Sequence, residues 1–231
     1  MNVPMIRLLH VGGLDSVETL SLPLQQIGKV IVEQREISPE DQAFLSEIMD
    51  LETVPETYQK WTSDPMKIQV WEGSPSYLSQ HKGQFFGLWL RLGLQYPRDY
   101  FEAWVELTKG YWNGGYDYYI YAEYVAENSY GIAMNFDSNP IKSLMKAYFA
   151  FTRESVLFEP LLSIGLNVWA AGALLWLSIV KKRREAVLFI PLFVILAGLW
   201  VGSPVFSEFR YAYPVTVSVP FLIPTVLSQE E

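Results

Sequence analysis

The chain has 231 residues, half of them hydrophobic and 15% aromatic, and a net charge of −8. That composition excludes an intrinsically disordered chain, and the length is enough to bury a core. The acidic balance removes the basic face that a nucleic-acid partner demands, and the absence of cysteine removes disulfides and thiolate-based metal or nucleophile sites.

The charge is unevenly placed. Residues 1–155 hold 20 Asp/Glu against 12 Lys/Arg, and residues 156–231 hold five of each. The negative balance therefore belongs to the first part alone. His10 and His81 are too far apart to make a recognisable metal spacing and read as structural or surface residues.

In chain order, Leu20, Leu24, Ile27, Val30 and Ile31 recur at helical spacing and predict a helix over 17–34, with Pro23 marking a start or a kink. Ser38-Pro39-Glu40-Asp41 is a helix entrance: a Ser cap, Pro at the first position and acids in the first turn. That helix is expected to bury Phe44, Leu45 and Ile48. Asp64, ahead of Pro65, caps a turn, and Lys67 follows one turn on. The pair reads as structural capping or as a polar contact to a ligand. Residues 83–95 form a further helix, and Pro97-Arg98-Asp99-Tyr100 opens the next, expected to bury Phe101, Trp104, Val105 and Leu107.

Residues 110–121 place six aromatics among glycines and polar groups. Trp112 and Tyr118 with Asp117 can stack on and hydrogen-bond a sugar. The same rings can instead pack under the domain or settle at the headgroup level. Ser138-Asn139-Pro140 opens an amphipathic helix that leads towards the apolar region. Strand-like alternation is scarce.

Residues 160–180 and 186–206 are uncharged apolar runs, each about the ~20 residues that cross a bilayer as a helix. Between them Lys181-Lys182-Arg183-Arg184 marks a cytoplasmic loop. A third run, 211–227, carries Pro214, Pro220 and Pro224. The expected fold is mostly α: an extracytoplasmic helical domain over 1–155, followed by two to three transmembrane helices within 156–231. The expected location is the plasma membrane, crossed several times. An exported domain of this size without a basic start and apolar stretch before it is expected to be the C-terminal part of a longer polytopic protein whose earlier helices are missing here.

At the outer end of the third run stands Glu208-Phe209-Arg210-Tyr211-Ala212-Tyr213. Arg210 can snorkel to headgroups. Its guanidinium fork equally suits a lipid phosphate, flanked by Tyr211 and Tyr213 and with Glu208 as a competing partner. No nucleophile elbow, phosphate-binding glycine loop, metal-ligand cluster or cofactor fingerprint is present, and no cofactor is expected.

The segments SLPLQQIGKVIVEQREISPED (21–41), TSDPMK (62–67), LWLRLGLQYPRDYFEAW (88–104), TKGYW (108–112) and SPVFSEFRYAYP (203–214) together resemble a family of uncharacterised bacterial polytopic membrane proteins. The resemblance covers nearly the whole chain and matches that family's C-terminal part. The family is itself similar, at a greater distance, to GT-C-type glycosyltransferases. This implies an enzyme of the cell envelope that takes a sugar from a polyprenyl-phosphate donor on the outer membrane face. The catalytic acid would then lie outside this chain, and Arg210 would contact the lipid phosphate. The alternative is a non-catalytic membrane protein whose outer domain binds a surface polymer or a partner protein.

Overall fold

The computed structural model describes residues 17–116, 128–131, 140–155, 162–202 and 207–228. The protein is mostly helical, and no strand occurs among the described residues. It divides into two compact units, Met1–Leu107 with Trp200–Phe206 and Thr108–Leu199 with Ser207–Glu231.

In chain order the first unit carries α1 (Ser21–Val32), α2 (Pro39–Ser46), α3 (Val54–Thr57), α4 (Asp64–Glu72), α5 (Pro75–Gln80), α6 (Lys82–Gln95) and α7 (Pro97–Thr108). Helix α1 is the hub. A 3-10 turn, Glu18–Leu20, leads into it. Pro23 sits in its first turn, where the missing N–H has no helical acceptor to lose. Leu24, Ile27 and Val30 are fully buried, and α1 packs on α3, α4 and α6. The core it shares includes Val54, Met66, Val70, Phe85 and Leu88. Burial of each such side chain contributes about 1.5–3 kcal/mol. Helix α2 starts as its sequence dictates: the Asp41 N–H donates to Ser38 Oγ at 3.2 Å, and Phe44, Leu45 and Ile48 are buried.

The end of α1 positions a charged clamp. Gln34 takes a left-handed conformation, φ 51°, and the Arg35 N–H bonds back to the Val30 carbonyl at 3.1 Å. A side chain in that region costs about 1 kcal/mol relative to glycine. The turn delivers Arg35 to α7, where its Nε and Nη2 donate to the buried Asp99 carboxylate at 2.7 and 3.1 Å.

This clamp corrects the expected face of α7. With Asp99, Tyr100, Ala103 and Leu107 turned inward, Trp104 and Val105 are only half-buried and Phe101 is exposed. Position 101 lies about 200° around the helix from position 99. A bidentate ion pair at one position therefore decides where the ring at the other must go.

The second unit carries α8 (Pro140–Glu154), α9 (Ile164–Val180), a 3-10 turn (Arg184–Phe189), α10 (Ile190–Ala197) and α11 (Phe209–Leu227). One helical stretch among the described residues, Arg184–Val201, is long and apolar enough to cross a membrane. Only 17% of it is buried, whereas the core helix of a water-soluble protein would be mostly covered. Pro191 falls in the first turn of α10. The stretch ends in a π-helical turn, Gly198–Gly202. Of the expected run 160–180, the described helix is the 17-residue α9. The expected run 211–227 lies within the 19-residue α11, which keeps Pro214, Pro220 and Pro224 inside it. All three prolines sit on its exposed face, opposite the buried Ala212, Val215, Val219, Leu222 and Val226.

Helices α9 and α11 pack along each other and run parallel. Their C-terminal ends meet at Arg183, which donates to the Val226 carbonyl and, at 2.7 Å, to the Ser228 carbonyl. Their N-terminal ends meet at the 110–116 loop.

Candidate functional site

The loop after α7 is built by its own local bonds. Lys109–Tyr111 form a 3-10 turn with Tyr111 buried. The Lys109 carbonyl accepts from the Trp112 and Asn113 N–H groups at 3.2 and 2.7 Å. Asn113 Oδ1 then accepts from the Gly115 N–H at 3.0 Å, an Asx turn that folds the chain back on itself.

Helix α9 begins directly against this loop. Ser163 caps it by accepting from the Leu166 N–H at 3.3 Å, and its Oγ donates to the Gly114 carbonyl at 2.9 Å. The buried Asn167 amide donates to the Ser163 carbonyl at 2.8 Å. Trp169 Nε1 donates to the Trp112 carbonyl at 2.8 Å. Gly165 is required here by close approach: a Cβ would sit 2.5 Å from the Asn113 carbonyl. On the α11 side, Gly110 meets Ser207 just as closely. The aromatic loop is thus a seat for the starts of two parallel helices. Trp112 takes part through its backbone, and its ring is half-buried.

Beyond Ser207, Glu208 and Arg210 form an ion pair at the start of α11. The Arg210 Nη2 also donates to the Tyr211 hydroxyl at 3.1 Å, and its guanidinium lies 4.9 Å from the centre of that ring. The Arg210 side chain is 70% exposed and that of Glu208 22%. Glu208, Arg210 and Tyr211 are therefore brought together. Tyr213 is not part of the group: its ring meets Phe209 edge-on, with centroids 6.0 Å apart. Asp117 and Tyr118 lie outside the described residues.

Asp64 and Lys67 belong to the first unit and form a closed cluster of their own. Asp64 opens α4, and its N–H bonds Thr62 Oγ1 at 3.2 Å. The Lys67 ammonium, on a side chain 4% exposed, contacts Asp64 at 2.7 Å and Glu18 at 2.9 Å. Burial alone would depress the Lys67 pKa, but hydrogen bonds and charge from Asp64 and Glu18 outweigh it and hold the ammonium above its ordinary value. Glu18 is 49 residues from Lys67, so no local pattern identifies it as the second partner. Among the described residues no group of three His, Asp or Glu could hold a metal ion.

The chain belongs to a family of unknown function (DUF6020), which matches residues 3–231. No curated protein and no solved structure matches it significantly.

Proposed function

We propose that this chain crosses the membrane three times, through α9, the 184–201 stretch and α11, and presents Arg210 at the outer surface to the phosphate of a lipid carrier. One observation carries the reading. In α9 the buried positions include the small or polar Gly165, Asn167, Ala171 and Ser178, while the exposed ones include Leu166, Trp169, Trp176, Ile179 and Val180. A helix bathed in water has the opposite pattern. Small residues inside and large apolar ones outside are what lipid-facing helices need, because close backbone approach drives their association. The exposed Val187, Leu188, Ile190, Val194 and Val201, and on α11 Val217, Phe221, Ile223 and Leu227, continue the pattern.

Orientation follows from charge. Lys181, Lys182, Arg183 and Arg184 hold the α9–α10 connection on the cytoplasmic side. The parallel α9 and α11 then both start outside, at the 110–116 loop. Arg210 stands at that end, and its planar fork is suited to a phosphate that replaces the Glu208 carboxylate. Transfer of a sugar from a polyprenyl-phosphate donor, the chemistry that the sequence resemblance implies, fits this placement, with the catalytic acid supplied from outside this chain.

Two measurements test the reading. Because the chain has no cysteine, single Tyr130→Cys and Lys181→Cys variants can be labelled with a membrane-impermeant maleimide. Reaction from opposite faces is expected; reaction from the same face overturns the topology. In nanodiscs, Arg210→Ala is expected to weaken binding of polyprenyl phosphate by about tenfold or more, Arg210→Lys by less, and Glu208→Gln to tighten it. Unchanged binding in Arg210→Ala removes the phosphate contact.

The exposure of Trp61 and Trp71 in the first unit favours the second reading, a non-catalytic protein that stacks a surface polymer on aromatic rings. It predicts saccharide binding by the full chain that Arg210→Ala leaves intact.

A further inference from the structure

We infer that α8 is a membrane-surface helix lying in the headgroup layer of an anionic bilayer, with its apolar face turned into the lipid. The inference rests on the membrane reading above and adds to it a second, peripheral mode of attachment.

The sequence of α8 is amphipathic at helical period, but the apolar side is exposed. Ile141, Leu144, Met145, Tyr148 and Phe151 recur at i, i+3, i+4, i+7 and i+10, and all are exposed, Leu144 at 71% and Ile141 at 65%. In a water-soluble unit such a stripe is what a helix lays on the core. Left open to water, a contiguous patch of this kind marks a surface that something else covers.

Charge identifies what covers it. From Lys109 to Lys142 the sequence contains no cation between those two residues, but four carboxylates, Asp117, Glu123, Glu127 and Asp137. Within α8 the balance reverses: Lys142, Lys146 and Arg153 stand against Glu154 alone. At 100° per residue, positions 142, 146 and 153 fall within about 40° of one another, on the polar side of the helix about 140° from the middle of the apolar stripe. Position 154 lies about 100° from that group. A cationic polar face opposite a Leu/Phe/Tyr face is the arrangement that sets a helix flat on anionic headgroups. An acidic protein partner could use the cations, but nothing in that case requires an apolar stripe to run the helix's full length opposite them.

Continuity supports the same occupant. Nine residues separate Glu154 from Ile164, where α9 starts. On the membrane reading α9 enters the bilayer from the outer side, so α8 is tethered within reach of that surface. Tyr148 supplies an amphipathic ring suited to headgroup depth.

The test uses the full chain in nanodiscs, with single cysteines at Leu144, Ser143 and Val194 carrying an environment-sensitive fluorophore. Positions 143 and 144 are both exposed but about 100° apart on the helix, and Val194 is an exposed residue of the apolar 184–201 stretch. In phosphatidylglycerol nanodiscs, brominated acyl chains are expected to quench the 144 label at least about threefold more than the 143 label. That contrast should shrink in phosphatidylcholine and in a Lys142→Gln/Lys146→Gln/Arg153→Gln variant. If Val194 is quenched but 144 and 143 respond alike, α8 does not lie on lipid and this inference falls while the spanning reading stands. A 144 label that is blue-shifted without bromolipid quenching means that protein covers the face, with the same consequence. If Val194 itself is not quenched, the spanning reading fails and the inference fails with it.

Discussion

Lys67 offers the sharpest test of the packing argument, because its cluster is asymmetric. The lysine side chain is 4% exposed, whereas those of Glu18 and Asp64 are 44% and 53% exposed. Replacing Lys67 with Met removes the ammonium together with the cost of burying it, and the two carboxylates return to water. The net change is expected to stay within about 1 kcal/mol. The double variant Glu18→Gln/Asp64→Asn does the reverse, leaving an ammonium buried with neutral acceptors only. Stranding one partner of a buried pair costs about 3–5 kcal/mol. The retained amide oxygens still accept hydrogen bonds and bring the expected cost to about 2–3 kcal/mol. Hydrogen exchange of α1 and α4 amides in the intact chain reads this directly, as acceleration of about 30- to 150-fold in the double variant and little change in Lys67→Met. The pH dependence has a definite sign. The folded Lys67 pKa is raised, so its pairing is fully present below the unfolded value near ~10.4 and is lost as pH climbs through the folded value. The difference between wild type and Lys67→Met should therefore be flat from about pH 6 to about pH 9. The reasoning is refuted if the double variant exchanges like wild type while Lys67→Met accelerates more than about tenfold; the ammonium would then serve something other than this pair.

Arg183→Gln is expected to loosen the last turn of α11, speeding exchange of the 226–228 amides about tenfold or more, because each charged donor to a carbonyl is worth about 1.5–3 kcal/mol. The exposed neighbour Arg184→Gln should leave those amides unchanged, and equal effects of the two variants would remove the capping role. Gly165→Ala places a methyl 2.5 Å from the Asn113 carbonyl and should destabilise the second unit by about 1–3 kcal/mol, with a lower melting temperature and altered tryptophan emission. Gly172→Ala, whose added carbon meets nothing within 4 Å, should be neutral or slightly stabilising, and a comparable loss there would refute the close-approach argument.

What could be read from the sequence was local. Ser38 capping the Asp41 N–H, the apolar face of α1, the start of α7 at Pro97 and the apolar character of the 186–206 run all depend on residues within a few positions of one another. What could not be read was set across the chain. Phe101 is exposed because Arg35, 64 residues away, holds Asp99 inward, and apolar counts along a helix do not say which face a distant charge will claim. Trp112 and its neighbours could be read as a ligand surface or as a packed loop, because exposed rings and packed loops share a composition. The bonds from Ser163 and Trp169, 49 and 57 residues on, together with the close approach of Ser207 to Gly110, make the loop a seat for two helices.

The four-cation run joins both kinds of information. Its net charge, which is legible, bears on orientation, and any of the four residues could supply it. Its conformation is not legible. Lys182 adopts φ 54°, and the Arg183 N–H bonds the Ser178 carbonyl at 2.8 Å, which is how α1 ends at Gln34 and Arg35. In both places a residue other than glycine accepts left-handed strain of about 1 kcal/mol so that the arginine after it can reach another helix. At α1 that arginine grips a carboxylate; at α9 it caps two carbonyls. Charge counting treats Arg183 as one of four equivalent cations, but its side chain is only 10% exposed, while Lys181, Lys182 and Arg184 are exposed. On the proposed topology three cations are left to face the headgroups, and the fourth fixes where α11 ends. Neutralising Arg183 should disturb packing, and neutralising the other three should disturb orientation.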